Sequence, residues 1–209
     1  GSGTLTVNGG TIAGNDGSTT RTLANAVMWG GSVQFGDGVK AAGLVFSGNT
    51  VLGGSLSLGV NVPVTLSGVL SDGGNGYGIT KTGTGTLVLS GANTYSGLTV
   101  LSAGTLSLTN ANALGGGGNV QFVGGTLQYS ASNTGDYASR IVNSTSAIAI
   151  DTNNQNVTYA GNVVASNSGG LLKLGSGILT LSGSNGFTGV TTLNAGTLAL
   201  GSANALAGG

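Results

Sequence analysis

A block of forty residues occurs twice without a gap, at 78–117 and again at 170–209, and 23 of the 40 paired positions are identical. A repeat of this length restricts the chain to folds that stack similar units, each burying its apolar face against a neighbour. Inside and outside the block the same local pattern returns. Runs of four or five residues alternate apolar and polar, as in Thr4-Leu5-Thr6-Val7, Ser32-Val33-Gln34-Phe35, Ser55-Leu56-Ser57-Leu58, Thr86-Leu87-Val88-Leu89 and Thr197-Leu198-Ala199-Leu200. Period two with β-branched neighbours reads as strand with one buried face. Gly, Asn, Ser or Asp separates the runs, where tight corners demand a positive φ.

Composition decides against the alternatives to a packed β fold. The 44 glycines would fit a disordered chain, but 39% of residues are hydrophobic and the net charge is zero. A chain with so little charge has to bury its Leu, Val and Ile. Gly, Thr, Ser and Asn are weak helix formers, whereas Thr and Val suit a pleated, half-buried surface. With no Cys, disulfides and thiolate metal sites are excluded. No apolar run is long enough for a membrane helix. No basic segment followed by an apolar stretch opens the chain, and its first residue is Gly, so signal and anchor are expected to lie outside this sequence.

Strand spacing selects the architecture. Leu87 and Leu106 are nineteen positions apart, as are Leu179 and Leu198. A coil of about twenty residues with three short strands fits a parallel β-helix, in which each strand pairs with its equivalent one coil above and below at about 4.8 Å. The expectation is an all-β solenoid of about ten coils and about 48 Å by that spacing. It forms one domain over 1–209, with two related units at about 1–117 and 118–209 and no internal boundary. Gly9-Gly10-Thr11-Ile12 in the first unit aligns with Gly124-Gly125-Thr126-Leu127 in the second. An antiparallel barrel or sandwich fits less well, because the strands are short and two-residue hairpin signals are few.

The segment Lys81-Thr82-Gly83-Thr84-Gly85-Thr86-Leu87-Val88-Leu89-Ser90-Gly91-Ala92-Asn93-Thr94-Tyr95-Ser96-Gly97, with Leu101-Ser102-Ala103-Gly104-Thr105-Leu106, resembles the autotransporter-associated β-strand repeat, also called the passenger-associated transport repeat. The second copy resembles it through Lys173, Gly175, Gly177, Leu179, Leu181, Gly183, Asn185, Gly189, Gly196 and Leu198. The resemblance implies a right-handed parallel β-helix displayed on, or secreted from, a bacterial surface. It also implies a stalk-like structural or adhesive role. No C-terminal membrane barrel of the kind some members carry is present in this sequence.

Candidate sites are few. With no His and no Cys, acid–base work would fall to Asp, Lys or Tyr. Asp16 and Asp37 are one coil apart and offer the only candidate groove for cleaving polysaccharide, yet each sits in an Asp-Gly turn. Asp72-Gly73-Gly74-Asn75-Gly76 has the flavour of a calcium loop, but it occurs once, and calcium needs several oxygen ligands. The expectation is no catalytic residue, no cofactor and no metal. Five dispersed cations give no patch for nucleic acid. Asp16 with Arg21 and Asp136 with Arg140 are expected as local ion pairs, and Lys81 and Lys173 as outward-facing strand residues that keep a rod soluble. Asn93 and Asn185 are expected to bond the backbone at equivalent corners. Tyr95 and Phe187 are expected to pack against the next coil rather than stack on surface glycans. Regular outward Thr on every coil, as ice binding would require, is absent. Neither end carries a cap, so the expected partners are flanking repeats of a longer chain or other copies of this one, stacked head to tail into a filament. A polysaccharide-binding or polysaccharide-cleaving β-helix is the competing reading.

Overall fold

Short alternating strands and glycine corners build a three-sided solenoid in the computed structural model, which describes residues 2–39 and 42–206. Lys40 and the final Ala207-Gly208-Gly209 lie outside the described residues. The first coil holds β1 (Leu5–Val7), β2 (Thr11–Ile12) and β3 (Arg21–Leu23). The next two hold β4 (Val27–Trp29), β5 (Val33–Phe35) and β6 (Leu44–Phe46), then β7 (Thr50–Leu52), β8 (Leu56–Val60) and β9 (Val64–Leu66). The fourth holds β10 (Leu70–Ser71), β11 (Ile79–Thr82) and β12 (Thr86–Leu89). From the fifth coil on, at least one side of each coil carries no strand. The remaining strands are β13 (Thr99–Leu101), β14 (Thr105–Leu108), β15 (Val120–Phe122), β16 (Thr126–Gln128), β17 (Ile148–Asp151), β18 (Val157–Tyr159), β19 (Leu171–Leu174), β20 (Ile178–Leu181), β21 (Thr191–Leu193) and β22 (Thr197–Leu200). A single 3-10 turn, Ala138–Arg140, leads into a bridge between Ile141 and Val120.

All pairings between these strands are parallel, and each joins one coil to the next. One face is continuous from end to end, with strand order β21-β19-β17-β16-β14-β12-β9-β6-β3. Nine full coils are therefore stacked and β22 opens a tenth, close to the ten expected. At the strand separation of a sheet the stack is about 43 Å long.

The core is an axial column. Leu44, Val64, Leu87, Leu106, Leu127 and Ile150 succeed one another along the continuous face, all buried. One coil in from the start of the column, the three sides contribute Trp29, Phe35 and Phe46, whose rings meet edge to face with all centroid separations at 5.4 Å. This triad fills the cross-section, with aromatic contacts worth roughly 0.5–1.5 kcal/mol each beyond their area. The Trp29 indole N–H is the one buried side-chain polar atom without a partner among the described residues.

The two copies of the repeat occupy different faces. In the first copy, β11 and β13 lie on the sheet β15-β13-β11-β8-β5-β2, while β12 and β14 lie on the continuous face. In the second copy, the equivalents β19 and β21 lie on the continuous face, and β20 and β22 on the sheet β18-β20-β22. The interval between copies is thus four coils and one further side. The irregular side follows the repeat. It falls where β10 stacks in the first copy, since the Thr94 N–H donates to the Leu70 carbonyl. In the second copy it falls one face on, where the Gly186 N–H donates to the Val163 carbonyl.

Candidate functional site: the stacked corners of the repeat

The corner of the first copy is built from Lys81, Gly83, Gly85 and, one coil later, Gly104. Lys81 lies on β11, where the alternation that buries Ile79 also turns the lysine inward, and it is fully buried. Its ammonium donates to the carbonyls of Thr82 at 3.0 Å and Gly83 at 2.8 Å in its own coil, and to that of Ala103 at 3.0 Å in the coil above. Lys173 repeats this on a different face, donating to the carbonyls of Leu174 (2.7 Å), Gly175 (2.7 Å) and Ala195 (3.1 Å). It also reaches the Thr152 hydroxyl at 2.9 Å, one coil below. The expectation that these lysines face outward is therefore wrong. Lysine usually marks a solvated strand face, but here the alternation that buries Ile79 also buries Lys81, and the long side chain carries its charge to carbonyls at the corner. Burial pushes the Lys81 ammonium down to about 8. Lys173 is lowered by the same cause, partly offset by Asp151.

Glycine is obligatory where corners stack. Gly104 has φ 63° and Gly196 φ 70°. A Cβ on Gly104 would sit 2.5 Å from the Gly85 carbonyl oxygen and 2.8 Å from the Lys81 Nζ. The lysine clamp and the glycine at the next level are thus one unit. Gly91 and Gly183 similarly lie hard against the backbones of Gly68 and Gly161 one coil below, and Gly97 against that of Gly76. Gly189, with φ 89°, packs against the backbone of Ser168 and Gly170. Gly85 and Gly177 press on the carbonyls of Val60 and Gln155.

On the irregular side, each repeat carries a buried asparagine spanning three coils. Asn93 accepts the Leu70 N–H through Oδ1 at 2.8 Å and donates Nδ2 to the Ala113 carbonyl at 2.7 Å. Asn185 makes the same pair of bonds, to the Val163 N–H and the Ala205 carbonyl. Each amide replaces the ladder bonds that the absent strand would have supplied. Leu87, Leu89, Leu106, Leu179 and Leu181 are buried in the column, and Leu198, on the last strand, is partly covered. Tyr95 and Phe187 are also buried, with the Tyr95 hydroxyl 2.9 Å from the Thr99 hydroxyl, so neither ring is available to a sugar.

The remaining charged residues are structural. Asp72 is buried; its carboxylate accepts the N–H groups of Gly74 and Gly76 in its own loop. It also accepts the N–H and hydroxyl of Ser96 in the coil above. The Ser96 hydroxyl and these amides outweigh burial and hold its carboxyl down at about 2. Both oxygens are thereby occupied, and no group of three or more His, Cys, Asp or Glu able to hold a metal occurs among the described residues. Asp16 pairs with Arg21 at 2.5 Å. Asp136 and Arg140 do not pair, contrary to expectation. Asp136 accepts the amides of Ala138, Ala160 and Gly161. Arg140 donates to the carbonyls of Gly118 and Leu114 and lies over the Tyr137 ring. Backbone groups left free by the irregular side outcompete the local ion pair. Asp16 and Asp37 follow β2 and β5, which are neighbours in one sheet, but each accepts amides of its own turn. Burial pushes the Tyr95 hydroxyl up to about 12 and raises Tyr129, Tyr137 and Tyr159 as well, so these hydroxyls stay protonated at neutral pH.

Corners of this kind, repeated along a parallel column, define a structural solenoid whose specific chemistry points inward. Residues 79–108 and 171–200 each match the model of the Passenger-associated-transport-repeat family, so the chain is a β-solenoid carrying two passenger-associated transport repeats. It is 38% identical over 92 residues to the Adhesin BmaC autotransporter of Brucella suis biovar 1 (strain 1330). That stretch covers 44% of this chain and 3% of the relative's length. No solved structure matches the chain. No helix among the described residues is long and apolar enough to cross a membrane.

Proposed function

We propose that this chain is a length of extracellular rod on a bacterial surface, serving as a stalk and as an adhesive face rather than as an enzyme. The observation that carries this reading is the inward direction of its polar chemistry. Lysine ammoniums, asparagine amides and the Asp72 carboxylate are all spent on fastening coil to coil. The similarity to an autotransporter adhesin supports a place on the cell surface. What remains outward is a nearly uncharged surface of Thr, Ser, Val and Gln, such as Thr65, Val88 and Gln128 on the continuous face. Adhesion by such a surface rests on hydrogen bonds and flat contact, with little electrostatic steering. Flanking coils of a longer chain are the natural cover for the two ends of the stack.

Beads coated with the folded protein should adhere to host-cell monolayers or immobilised glycans more strongly than beads coated with heat-unfolded protein. The protein should also outlast an unfolded control in protease. Equal adhesion of folded and unfolded coats would refute the adhesive part, and rapid proteolysis the stalk. Turnover of any polysaccharide, abolished by Asp16→Asn with Asp37→Asn, would replace both with the enzymatic reading.

A further inference from the structure

The nine full coils are not fastened alike. The seventh, from Tyr129 to Asp151, holds a single strand, β17, and residues 129–147 are the longest interval without a strand among the described residues. Ladders join this coil to its neighbours on the continuous face alone, β17 to β16 below and to β19 above, with one bridge from Ile141 to Val120 on the next side. Every other neighbouring pair among the nine coils shares ladders on two or three sides.

Side chains take the place of the missing ladders. Arg140, just before Ile141, sits at the corner opposite the continuous face and reaches down. Its Nε donates to the Gly118 carbonyl at 2.7 Å and its Nη2 to the Leu114 carbonyl at 2.8 Å. Asp136, exposed on the side that follows β16, reaches up and accepts the N–H groups of Ala160 and Gly161, each at 2.8 Å. Inside the column the Tyr129 and Tyr159 hydroxyls meet at 2.9 Å across the upper junction. Asn167, buried in the eighth coil, accepts the Ser144 N–H and donates to the Ile141 carbonyl, both at 2.9 Å. Two of the ten charged residues of the chain are thus committed to one level, one to each junction.

We infer that the seventh coil is a joint built into the solenoid: the stack opens and bends there about the continuous face, and Arg140 and Asp136 are the latches that hold the other sides shut. Its place rests on the ladders, and its role, giving a stalk one point of compliance, rests on the rod reading above. In a stack held by nearest-neighbour interfaces, the level with the fewest ladders opens first. Because β16, β17 and β19 stay paired, opening is a rotation about one wall, a hinge, and it leaves the coils on either side intact. The joint also coincides with the handover of the strandless side, from the side of β10 and β18 below it to the side of β15 above it.

The test uses nitroxide labels in a chain with no native cysteine. Thr86 and Thr192 lie in one outward row of the continuous face, five coils apart. Ser71 on β10 and Thr180 on β20 are also five coils apart, on the side that opens. Both pairs span the joint at about 24 Å by the strand spacing. Electron–electron distance measurements should give a narrow distribution for Thr86→Cys/Thr192→Cys and a broad one, extending to longer distances, for Ser71→Cys/Thr180→Cys. Thr6→Cys/Ser71→Cys, on the same side but below the joint, should stay narrow. Hydrogen exchange supplies the second readout. Arg140 touches only the coil below, yet Arg140→Met should speed exchange of the Ala160 and Gly161 amides above by at least about tenfold, since both junctions open as one unit, and leave 79–108 unchanged. Equal widths for the two spanning pairs, or exchange at Ala160 and Gly161 unmoved by Arg140→Met, overturns the inference. If the β-sheet circular dichroism is intact in that sample, the rod reading stands; if the sheet signal is absent, both fall.

Discussion

Replacing Lys81 by methionine isolates the ammonium from its stem, because methionine keeps most of the aliphatic packing. Three carbonyls lose their charged donor: those of Thr82, Gly83 and Ala103. Orphaning a buried acceptor costs roughly 1–3 kcal/mol, so the three together amount to about 6 kcal/mol. Against this, the variant no longer dehydrates a charge. A lysine pushed by burial from 10.5 down to about 8 bears a cost of about 3 kcal/mol at neutral pH, which the substitution returns. The net expectation is a loss of about 3 kcal/mol, where an outward lysine would change stability by no more than about 0.5 kcal/mol. Because coils interact chiefly with neighbours, the loss should be local. Hydrogen exchange should quicken over 79–108 in Lys81→Met and over 148–200 in Lys173→Met, each leaving the other region protected, with denaturant unfolding giving the magnitude. A Lys81→Met protein within about 0.5 kcal/mol of wild type would refute the reasoning.

Asp72 gives a pH signature. Its carboxyl titrates at about 2 in the fold and 3.8 in the open chain, so its contribution is complete only above about pH 5 and is lost as pH falls through 2; Asp72→Asn should flatten the acid limb of a stability-against-pH curve measured by urea unfolding. Gly104→Ala places a methyl against the Gly85 carbonyl at a positive φ and should destabilise by more than about 2 kcal/mol, and Gly196→Ala, whose methyl would meet the Gly175 and Gly177 carbonyls of the coil below, should cost about as much; thermal melts would compare the two. Asn93→Ala leaves the Leu70 N–H and Ala113 carbonyl unpaired and should cost about 2–4 kcal/mol by denaturant titration. Trp29 is the single tryptophan and is sealed by Phe35 and Phe46, so its fluorescence should report opening of the first coils separately from far-UV dichroism.

The strands and their stacking were legible because period-two alternation and corner glycines are local signals. Leu87 and Leu106 announced both the inward face and the coil length. The direction of Lys81 runs against residue preference, since lysine usually marks a solvated strand face. The signal was nevertheless present: Lys81 sits two residues after inward Ile79 and two before Gly83, and the alternation alone assigns it to the core. Asp72-Gly73-Gly74 marks a turn, and the Asp72 carboxylate accepts the amides of Gly74 and Gly76 in it. Its second task, holding Ser96 in the next coil, depends on a contact 24 positions away that no local pattern encodes. The partners of Arg140 and Asp136 escape a local pattern for the same reason, because they include carbonyls and amides of adjacent coils.

The displacement of the two repeats by one face shows what the sequence repeat specifies. If the motif encoded a particular wall of the rod, copies would have to recur after a whole number of coils, and they do not. What Lys81 to Leu108 encodes is a corner clamp, two strands and an asparagine-bridged irregular side, each satisfied by the coil directly above or below. Any of the three sides offers the same partner, a strand about 4.8 Å away with inward Leu or Val. The copy can therefore start on any side without loss, and insertion of one strand-length rotates everything after it. In a rod built this way, an outward feature attached to the repeat turns by one face per copy. The two copies in this chain therefore present the same outward positions on different faces instead of along one edge.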